Sequence, residues 1–459
     1  MTHAEALALL TTHGQEHVLS FWKSLSSAEQ ADLLAQVASL DFQVIRSMRD
    51  LLEARNTAAP AAEPQPGAAF SPSESERRTA AAQGAAALKA GKVGVILVAG
   101  GQGTRLGFDG PKGTYSIGPL SGHSLFEIHV RKIAALERRF GGSIPLYVMT
   151  NQANDAATRT FFADHAHFSL PAHRIQFFSQ GMMPALFPDG RLVLEAPGRL
   201  FMGPDGHGGI LQALQRTGML DDMKRRGLDT LFYFQVDNPL IEIADPAFVG
   251  LHRERRAQFS LKVCAKRDPG EGLGVIARHG ETGLQIVEYT ELTEAQKQAR
   301  AASGELLFKY GSVAIHIFSL EFLIATAQAG LPLHIAHKKV PYFDGALKSP
   351  EKPNAFKFEK FIFDALPLAE RTLALVFDRA EEFSPVKNAT GPDSPETTRL
   401  DMSRKFARWL EACGVAVPRL PSGDPSIKIE IDPRYASCRE ELQRRLPKSF
   451  AIKGDVWLK

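Results

Sequence analysis

The chain has 459 residues, of which 44% are hydrophobic and 23% are charged, and its formal net charge is +3 at pH 7. This length exceeds the size at which a single hydrophobic core usually stops growing, so we expect two or three domains in a globular protein of ordinary composition. Because the charge is nearly balanced, neither nucleic acid nor an anionic membrane is expected as a general partner, and local groups of cations must carry any anion binding.

The amino-terminal segment, from Thr2 to Arg55, repeats apolar residues at helical spacing and predicts a small helical lead-in. Ser26 and Glu29 have the spacing of a capping box, which favours the start of a helix there. The next stretch, from Asn56 to Glu76, is rich in Pro, Ala and Ser and is typical of an irregular connector or a flexible linker. The main body is expected to begin near Arg77.

The expected compartment follows from three further features of the sequence. The amino terminus lacks the layout of a signal peptide, and no run approaches the length of a membrane span. The cysteines are isolated, odd in number and without metal-type spacing: Cys264, Cys413 and Cys438. We therefore expect a cytoplasmic protein without a disulfide framework.

A buried strand followed by a glycine-rich turn stands at the centre of the pattern. Residues 93–98 form an apolar run typical of a parallel strand buried on both faces. Glycines at positions 100, 101, 103 and 107 allow the backbone that follows to turn several N–H groups toward one anion. Arg105 and Lys112 add two cations, so the stretch predicts a nucleotide-phosphate site. It has neither the P-loop nor the full dinucleotide pattern, and a plain glycine-rich surface loop is the alternative.

The elements that follow alternate between strands and helices. The strands are predicted at 144–149, 174–179, 232–236, 259–265, 274–277 and 284–289. The helices are predicted at 124–139, 153–165 and 209–227. This order indicates an α/β fold with a Rossmann-like, doubly wound sheet, which becomes mixed where the later strands have short links.

The chain is expected to divide into three parts. These are a helical segment with its linker (1–90), a catalytic domain (91–391) and a small α+β domain (392–459). The last part is predicted to hold a helix at 397–413, a strand at 427–431 and a helix at 437–446.

Asp237 follows the apolar run FYFQV, at the carboxyl end of a core strand, where open α/β sheets bind their ligands. A carboxylate there suits Mg²⁺, which takes hard oxygen ligands and completes its shell with phosphate and water. The alternative is an aspartate that caps the next turn.

The glycine-rich stretch also matches a longer pattern. Residues 97–113 contain L-x-A-G-G-x-G-T-R-L-G followed by P-K-G, which resembles the nucleotidyltransferases that make nucleotide sugars. More narrowly, the chain resembles the eukaryotic-type UTP:sugar-1-phosphate uridylyltransferases, and among them the UDP-N-acetylglucosamine pyrophosphorylases. Matching motifs occur in the expected order from about Leu97 to Asn388.

The resemblance implies roles for individual residues. The implied catalytic cations are Arg105, Lys112 and Lys387. The implied UTP contacts are Ala99, Gly100, Gly101, Gln180, Gly206, Asp237 and Lys357. The implied sugar contacts are His207, Asn238, Glu288, Tyr289 and Ser312. Asp237 is the implied Mg²⁺ ligand.

On residue types alone, blander interpretations of these positions remain open. Gln180 offers a donor and an acceptor that could read the edge of a uracil, and it could equally be a satisfied loop amide. Tyr289 could be a core residue and Glu288 an exposed charge at the end of a strand. Lys357 and Lys387 could both be solvated surface lysines.

Two departures from the family pattern bear on the sugar. His207 stands where N-acetylglucosamine enzymes usually have asparagine, and it gives the form seen in UDP-glucose pyrophosphorylases. The family's G-N-x-A-N-H appears here as residues 311–316 with both asparagines replaced, the first by Ser312. The acetamido preference therefore stays open.

The resemblance implies that a sugar 1-phosphate attacks the α-phosphorus of UTP in line and expels pyrophosphate, leaving a UDP-sugar. N-acetylglucosamine 1-phosphate is the first expectation for the acceptor and glucose 1-phosphate the alternative. A non-catalytic nucleotide-sugar sensor is the second alternative. The joint presence of Arg105, Lys112, Asp237 and Lys387 argues against that sensor, because a binding module would not need cations for a leaving group.

Overall fold

The computed structural model describes residues 1–55, 63–281 and 283–459. Its α-helices, in chain order, are α1 (His3–Thr12), α2 (Ser27–Ser39), α3 (Phe42–Ala54), α4 (Glu74–Lys89), α5 (Leu125–Phe140), α6 (Asp155–Asp164), α7 (Ile210–Arg216), α8 (Met219–Arg225), α9 (Pro246–Glu254), α10 (Glu294–Gln298), α11 (Leu320–Ala329), α12 (Arg379–Glu382), α13 (Pro395–Ala412) and α14 (Arg439–Arg445). Residues 56–62 of the predicted connector lie outside the described residues.

The strands of the described residues vary from two to ten residues in length. In chain order they are β1 (Val93–Val98), β2 (Leu146–Thr150), β3 (Ile175–Ser179), β4 (Met182–Pro184), β5 (Leu194–Ala196), β6 (Arg199–Leu200), β7 (Met202–Pro204), β8 (Thr230–Gln235), β9 (Phe259–Ala265), β10 (Val275–His279), β11 (Gly283–Val287), β12 (Tyr310–Ser319), β13 (His334–Lys338), β14 (Tyr342–Phe343), β15 (Leu347–Lys348), β16 (Ala355–Glu359), β17 (Thr372–Val376), β18 (Ile429–Ile431) and β19 (Val456–Leu458).

The chain forms two compact units. The first unit consists of Met1–Glu63, Gln180–Ile210 and Gly330–Asp364, and the second of Pro64–Ser179, Leu211–Ala329 and Ala365–Lys459. The three-part division expected from the sequence, at residues 90 and 391, stays a prediction, because compactness does not measure independent folding.

The second unit is built on one mixed sheet of nine strands. Its order is β11-β10-β12-β8-β1-β2-β3, and β9 joins β12 to β17. The pairs β8/β1, β1/β2 and β2/β3 are parallel, whereas β12 runs antiparallel to both β8 and β9. The predicted α/β fold with a sheet that becomes mixed is confirmed.

The central strands have the apolar character that burial on two faces requires. In β1, residues 93–97 are buried and only Val98 is partly exposed. Helix α5 packs an apolar face against the same core through Phe126, Ile128 and Ile133. Ser124 caps its first turn, and Gly141 ends it in a left-handed conformation. The bounds differ by one residue from the predicted helix at 124–139.

Two predictions for this unit need correction. The helix predicted at 209–227 is wrong as one element, because Gly218 takes φ +73° and separates α7 from α8. Strand β12 was not predicted at all. It contains an irregularity between Ser312 and His316, where Ala314 has φ +57°, and this breaks the strict alternation by which strands are recognised.

The first unit has its own core. Helices α1 to α3 pack on short strands through a cluster that includes Leu33, Met48, Leu186, Phe356 and Phe358. The predicted capping box is confirmed at the start of α2, where the Ser26 hydroxyl accepts from the Glu29 N–H and the Glu29 carboxylate accepts from the Ser26 N–H.

Residues 395–458 form a small α+β arrangement within the second unit. Helices α13 and α14 cover the parallel pair of β18 and β19, with a core that includes Trp409, Leu410 and Ile429. Cys264, Cys413 and Cys438 are free thiols. Among the described residues, the helices are all too short or too polar to cross a bilayer.

Helices α4 and α9 of the second unit touch through glycines. A Cβ at Gly84 would lie 1.9 Å from the Pro246 carbonyl oxygen, and a Cβ at Gly250 would lie 1.8 Å from the Ala80 carbonyl oxygen. Both distances are far below van der Waals contact, so the two helix backbones can come this close only without side chains at these positions.

We therefore expect Gly84→Ala to destabilise the protein. Alanine in an exposed helix would stabilise it by about 1 kcal/mol relative to glycine, but here the methyl group must push α9 away, at a cost of roughly 2 kcal/mol or more. Urea unfolding measures the difference in free energy. Gly454→Ala is the control, since a Cβ there meets nothing within 4 Å. Equal stability of Gly84→Ala and the wild type would contradict the packing argument.

Candidate active site

The parallel pairing of β1 and β8 brings two loops to one edge of the sheet. Val98 lies opposite Gln235, so the glycine-rich loop after β1 and Asp237 after β8 begin at the same edge. The Lys112 ammonium is 3.8 Å from a carboxylate oxygen of Asp237, and these side chains are 16% and 13% exposed. A cation and a carboxylate from different loops thus share one largely buried place.

Two asparagines orient the start of the glycine-rich loop. Asn151 donates to the carbonyl of Gly100 at 2.5 Å, and Asn154 donates to that of Ala99 at 3.0 Å. Because C=O and N–H point in opposite directions in a trans peptide, the N–H groups of Gly100 and Gly101 face away from these amides. This leaves them directed as an anion site needs. The sequence interpretation missed both asparagines, although Asn-x-x-Asn directly after β2 was the available signal.

The rest of the loop is closed by backbone bonds. The Lys112 N–H donates to the Gly101 carbonyl at 3.1 Å, and the Gly103 N–H donates to the Gly110 carbonyl at 2.9 Å. Arg105 stands on a single 3₁₀ turn within this loop, and its side chain is exposed. The loop therefore presents one fixed and one solvated cation.

The segment that carries Lys387 is attached to the loop of Asp237. The Val386 N–H donates to the Asp237 carbonyl at 2.8 Å. The Asn238 amide donates to the Glu382 carbonyl at 2.7 Å and accepts from the Ser384 N–H at 3.1 Å. Backbone groups thus engage both ends of this amide, which was predicted to contact the sugar.

Glu288, Tyr289 and Ser312 gather around one stretch of bare backbone. The Ser312 N–H donates to the Gly274 carbonyl at 2.8 Å. A Cβ at Gly274 would lie 3.0 Å from a Glu288 carboxylate oxygen, and one at Gly272 would lie 3.6 Å from the Tyr289 ring. Tyr289 is 41% exposed, so it is not the core residue of the alternative interpretation. These three predicted sugar contacts do lie close together.

The first unit holds a separate group of predicted residues. Gln180 is buried and donates to the Gly206 carbonyl at 3.0 Å. Gly206 has φ +80°, and a Cβ there would lie 2.4 Å from the Lys360 carbonyl oxygen. Only glycine therefore fits this position, which was predicted to contact UTP.

His207 is fixed as a neutral imidazole. Its ring stacks on Phe361 with 5.3 Å between centroids, and its Nδ1 accepts from the Ile362 N–H at 3.1 Å. Burial lowers the pKa of His207 to about 4. At neutral pH the ring offers an Nε2–H donor and carries no positive charge, which suits contact with a hydroxyl or carbonyl group rather than with a phosphate. Phe361 was missed by the sequence interpretation.

Lys357 lies on β16 in the first unit. Its ammonium lies 4.7 Å from the centroid of the Phe201 ring, and burial lowers the pKa of this lysine. A partly buried lysine over an aromatic face differs from the solvated surface lysine of the alternative interpretation. The structure therefore brings the predicted residues into three groups, two in the second unit and one in the first.

Asp237 offers one hard carboxylate, which is compatible with Mg²⁺ completed by phosphate and water. Elsewhere in the described residues, a group of three carboxylates, Glu242, Asp245 and Glu382, has ligand atoms close enough to hold a metal. The Lys262 ammonium already occupies that group, at 2.6 Å from Glu382 and 3.1 Å from Asp245. This group is therefore better described as a buried ion network than as a metal site.

Comparison with known proteins gives consistent matches over nearly the whole chain. The profile of the family described as UTP–glucose-1-phosphate uridylyltransferase matches residues 62–452. UDP-N-acetylglucosamine diphosphorylase 2 of Arabidopsis thaliana is 36% identical, over 96% of this chain and 91% of its own. UDP-N-acetylglucosamine pyrophosphorylase of Saccharomyces cerevisiae is 33% identical, over 96% of this chain and 97% of its own.

A solved structure matches the fold over the same length. The uridine diphosphate N-acetylglucosamine pyrophosphorylase of Trypanosoma brucei, crystallised with an inhibitor, superposes with a TM-score of 0.85 at 28% identity, over 100% of this chain and 98% of its own.

The ion network generates a prediction for the dependence of stability on pH. Burial raises the pKa of Glu382 to about 7, and the negative charges of Glu242 and Asp245 act in the same direction. The folded state then holds a proton that the unfolded state loses near its ordinary pKa, so stability falls as pH rises toward and through 7. We expect Glu382→Gln to remove this fall, and the stability of the variant relative to the wild type to rise by on the order of 2 kcal/mol between pH 5 and pH 8. Parallel profiles in urea unfolding would contradict it.

Proposed function

The chain belongs to the UTP–glucose-1-phosphate uridylyltransferase family and is a nucleotidyltransferase, and we propose that it converts UTP and N-acetylglucosamine 1-phosphate to UDP-N-acetylglucosamine and pyrophosphate. The relatives support this choice of sugar by their names. The observation that carries the chemistry is the edge shared by β1 and β8, where Lys112 lies 3.8 Å from Asp237 beside the glycine-rich loop.

In this proposal a phosphate oxygen of the sugar 1-phosphate attacks the α-phosphorus of UTP in line, and pyrophosphate leaves. Such a transfer needs positioning and neutralisation of charge rather than a covalent intermediate. The N–H groups after Ala99, together with Arg105 and Lys112, bind the β- and γ-phosphates and stabilise the leaving group. Lys387 orients the attacking phosphate.

Asp237 is the residue that would hold a divalent cation, and Mg²⁺ is the ion we expect. When bound, this ion supplies positive charge to the phosphates.

The remaining predicted residues are proposed to bind the two organic parts. Gln180 and Gly206 read the uracil, and Lys357 contacts a UTP phosphate. Glu288, Tyr289 and Ser312 of the second unit hold the sugar, and His207 of the first unit is a further proposed sugar contact. The neutral state of His207 supports a role with the sugar rather than with a phosphate.

Glucose 1-phosphate is the second candidate acceptor. Two observations favour it: His207 and Ser312 replace residues that are asparagine in the family's N-acetylglucosamine pattern. An amide can both donate to and accept from an acetamido group, whereas a neutral imidazole with a bonded Nδ1 can only donate.

The experiment that tests the proposed reaction is release of pyrophosphate from UTP with a panel of sugar 1-phosphates. We expect turnover with N-acetylglucosamine 1-phosphate, and Lys112→Met or Asp237→Asn to lower kcat by at least about 100-fold, because each removes a preorganised charge from the transition state. Lys224→Met and Asp221→Asn, two exposed positions on α8, serve as matched controls. Near-normal turnover of either site variant would remove that residue from the mechanism.

The same panel tests the basis of sugar choice. The double variant His207→Asn with Ser312→Asn restores two amides, so we expect it to raise the preference for N-acetylglucosamine 1-phosphate over glucose 1-phosphate by about 10-fold or more in kcat/KM. The control is Gln298→Asn, at the exposed end of α10. Gln15 is not suitable for this purpose because its side chain is buried. An unchanged ratio would show that these two positions do not choose the sugar.

A further inference from the structure

The loop after β8 is buried without being part of a helix or a strand. Residues 236–241 follow the strand directly, and Val236, Leu240 and Ile241 are at most 4% exposed. Buried carbonyl groups in such a loop need donors, since an unpaired buried polar group is costly. The donors here are side chains and one backbone N–H of other segments.

Helix α5 supplies two of the side chains that donate hydrogen bonds to this loop. His129 donates through Nε2 to the Val236 carbonyl at 2.9 Å. Lys132 donates to the carbonyls of Pro239 and Ile241 at 2.5 and 2.7 Å. These bonds hold the loop against the helix on both sides of Asp237.

A second buried lysine joins this loop to the segment of Lys387. Lys405 of α13 is 5% exposed. Its ammonium donates to the Leu240 carbonyl at 3.2 Å and to the Glu381 carbonyl at 2.6 Å. One side chain therefore bridges the loop that carries Asp237 and the segment that carries Lys387.

Asn238 bridges the same two segments a few residues away. Its amide bonds to the Glu382 carbonyl and to the Ser384 N–H. The Asp237 carbonyl accepts from the N–H of Val386, the residue that precedes Lys387 in the chain. We call Asn238 and Lys405 together the staple. They are two independent side-chain connections between the same pair of loops.

We propose that the staple positions Asp237 and Lys387 relative to each other, so that Lys405 and Asn238 are positioning residues of the reaction rather than contacts to the sugar. The inference rests on the proposed function, since it concerns the two groups assigned there to the metal and to the attacking phosphate. It also assigns α13, far along the chain from the glycine-rich loop, an effect on turnover through the position of these two groups.

The effect follows from the geometry that in-line transfer needs. Asp237 and Lys387 act on opposite partners of the reaction, so a shift of one loop changes their separation without removing either group. A misplacement of about 1 Å can cost 100-fold in rate. Methionine at position 405 fills the volume of lysine but donates no hydrogen bond, so both carbonyls lose their shared partner.

The test compares Lys405→Met with the wild type under saturating UTP and N-acetylglucosamine 1-phosphate. We expect kcat to fall by 10- to 100-fold while both KM values stay within about 3-fold, because the groups that bind substrate remain. Ser403→Ala is the matched control on α13. Within the described part of the chain its hydroxyl bonds to the backbone of Ile429 on β18, so we expect Ser403→Ala to lower the melting temperature and leave kcat unchanged.

A double-mutant cycle with Lys387→Met separates positioning from a general loss of structure. If Lys405 acts by placing Lys387, the factor by which Lys405→Met lowers kcat is at least about 10-fold smaller in the Lys387→Met background than in the wild type. A full, multiplicative loss in the double variant would overturn the proposal, as would a wild-type kcat in Lys405→Met.

Asn238→Asp provides the second route to a decision if Lys405→Met does not fold. It keeps the shape and the acceptor for Ser384 but removes the donor to Glu382, so the same fall in kcat and the same coupling to Lys387→Met are expected. A raised KM for the sugar phosphate with normal kcat would instead identify Asn238 as a sugar contact and overturn the proposal. Failure of the wild type to turn over any sugar 1-phosphate would refute the proposed function itself.

Discussion

The parallel pairing of β1 with β8 is the constraint on which the candidate site depends. Parallel neighbours end at the same edge of a sheet, so the hydrogen-bond register places the glycine-rich loop and Asp237 together. The 3.8 Å separation of Lys112 and Asp237 is a consequence of that register. A change that displaces β1 or β8 would therefore separate Lys112 from Asp237, the two charged groups proposed to act on the triphosphate.

Hydrogen bonds from side chains to backbone carbonyls fix the two loops that the sheet brings to one edge. Asn151 and Asn154 hold the loop after β1, and His129, Lys132 and Lys405 hold the loop after β8. Loops fixed in this way can be rigid without regular secondary structure, which suits a reaction that depends on preorganised charge. The proposed phosphate-binding and metal-binding groups of these loops therefore depend for their position on buried polar side chains elsewhere in the chain.

Much of the fold followed from the sequence because the signals were local. The apolar runs of β1, β2, β8 and β9, the amphipathic face of α5 and the capping box at Ser26 each lie within a few residues of chain. The order of strands and helices then indicated the sheet. Strand β12 was not predicted because its left-handed Ala314 interrupts the alternation of buried and exposed residues. The break at Gly218 was not predicted because a single glycine also occurs inside helices.

The candidate site was only partly accessible from the sequence. Motif residues such as Lys112, Asp237 and Gly206 could be named because a resemblance supplied them, whereas their supports come from distant segments. Nothing local links Lys405 to Leu240, or Phe361 to His207. The roles of Glu382 and Lys262 in one ion network likewise appear only in three dimensions, because their proximity depends on how β9 and α12 meet.

The most direct test of the account is a crystal structure of the chain with UTP bound. The account predicts the β- and γ-phosphates of UTP at the edge shared by β1 and β8, within hydrogen-bond reach of the N–H groups of Gly100 and Gly101 and beside Lys112 and Asp237. A triphosphate bound away from that edge would contradict it.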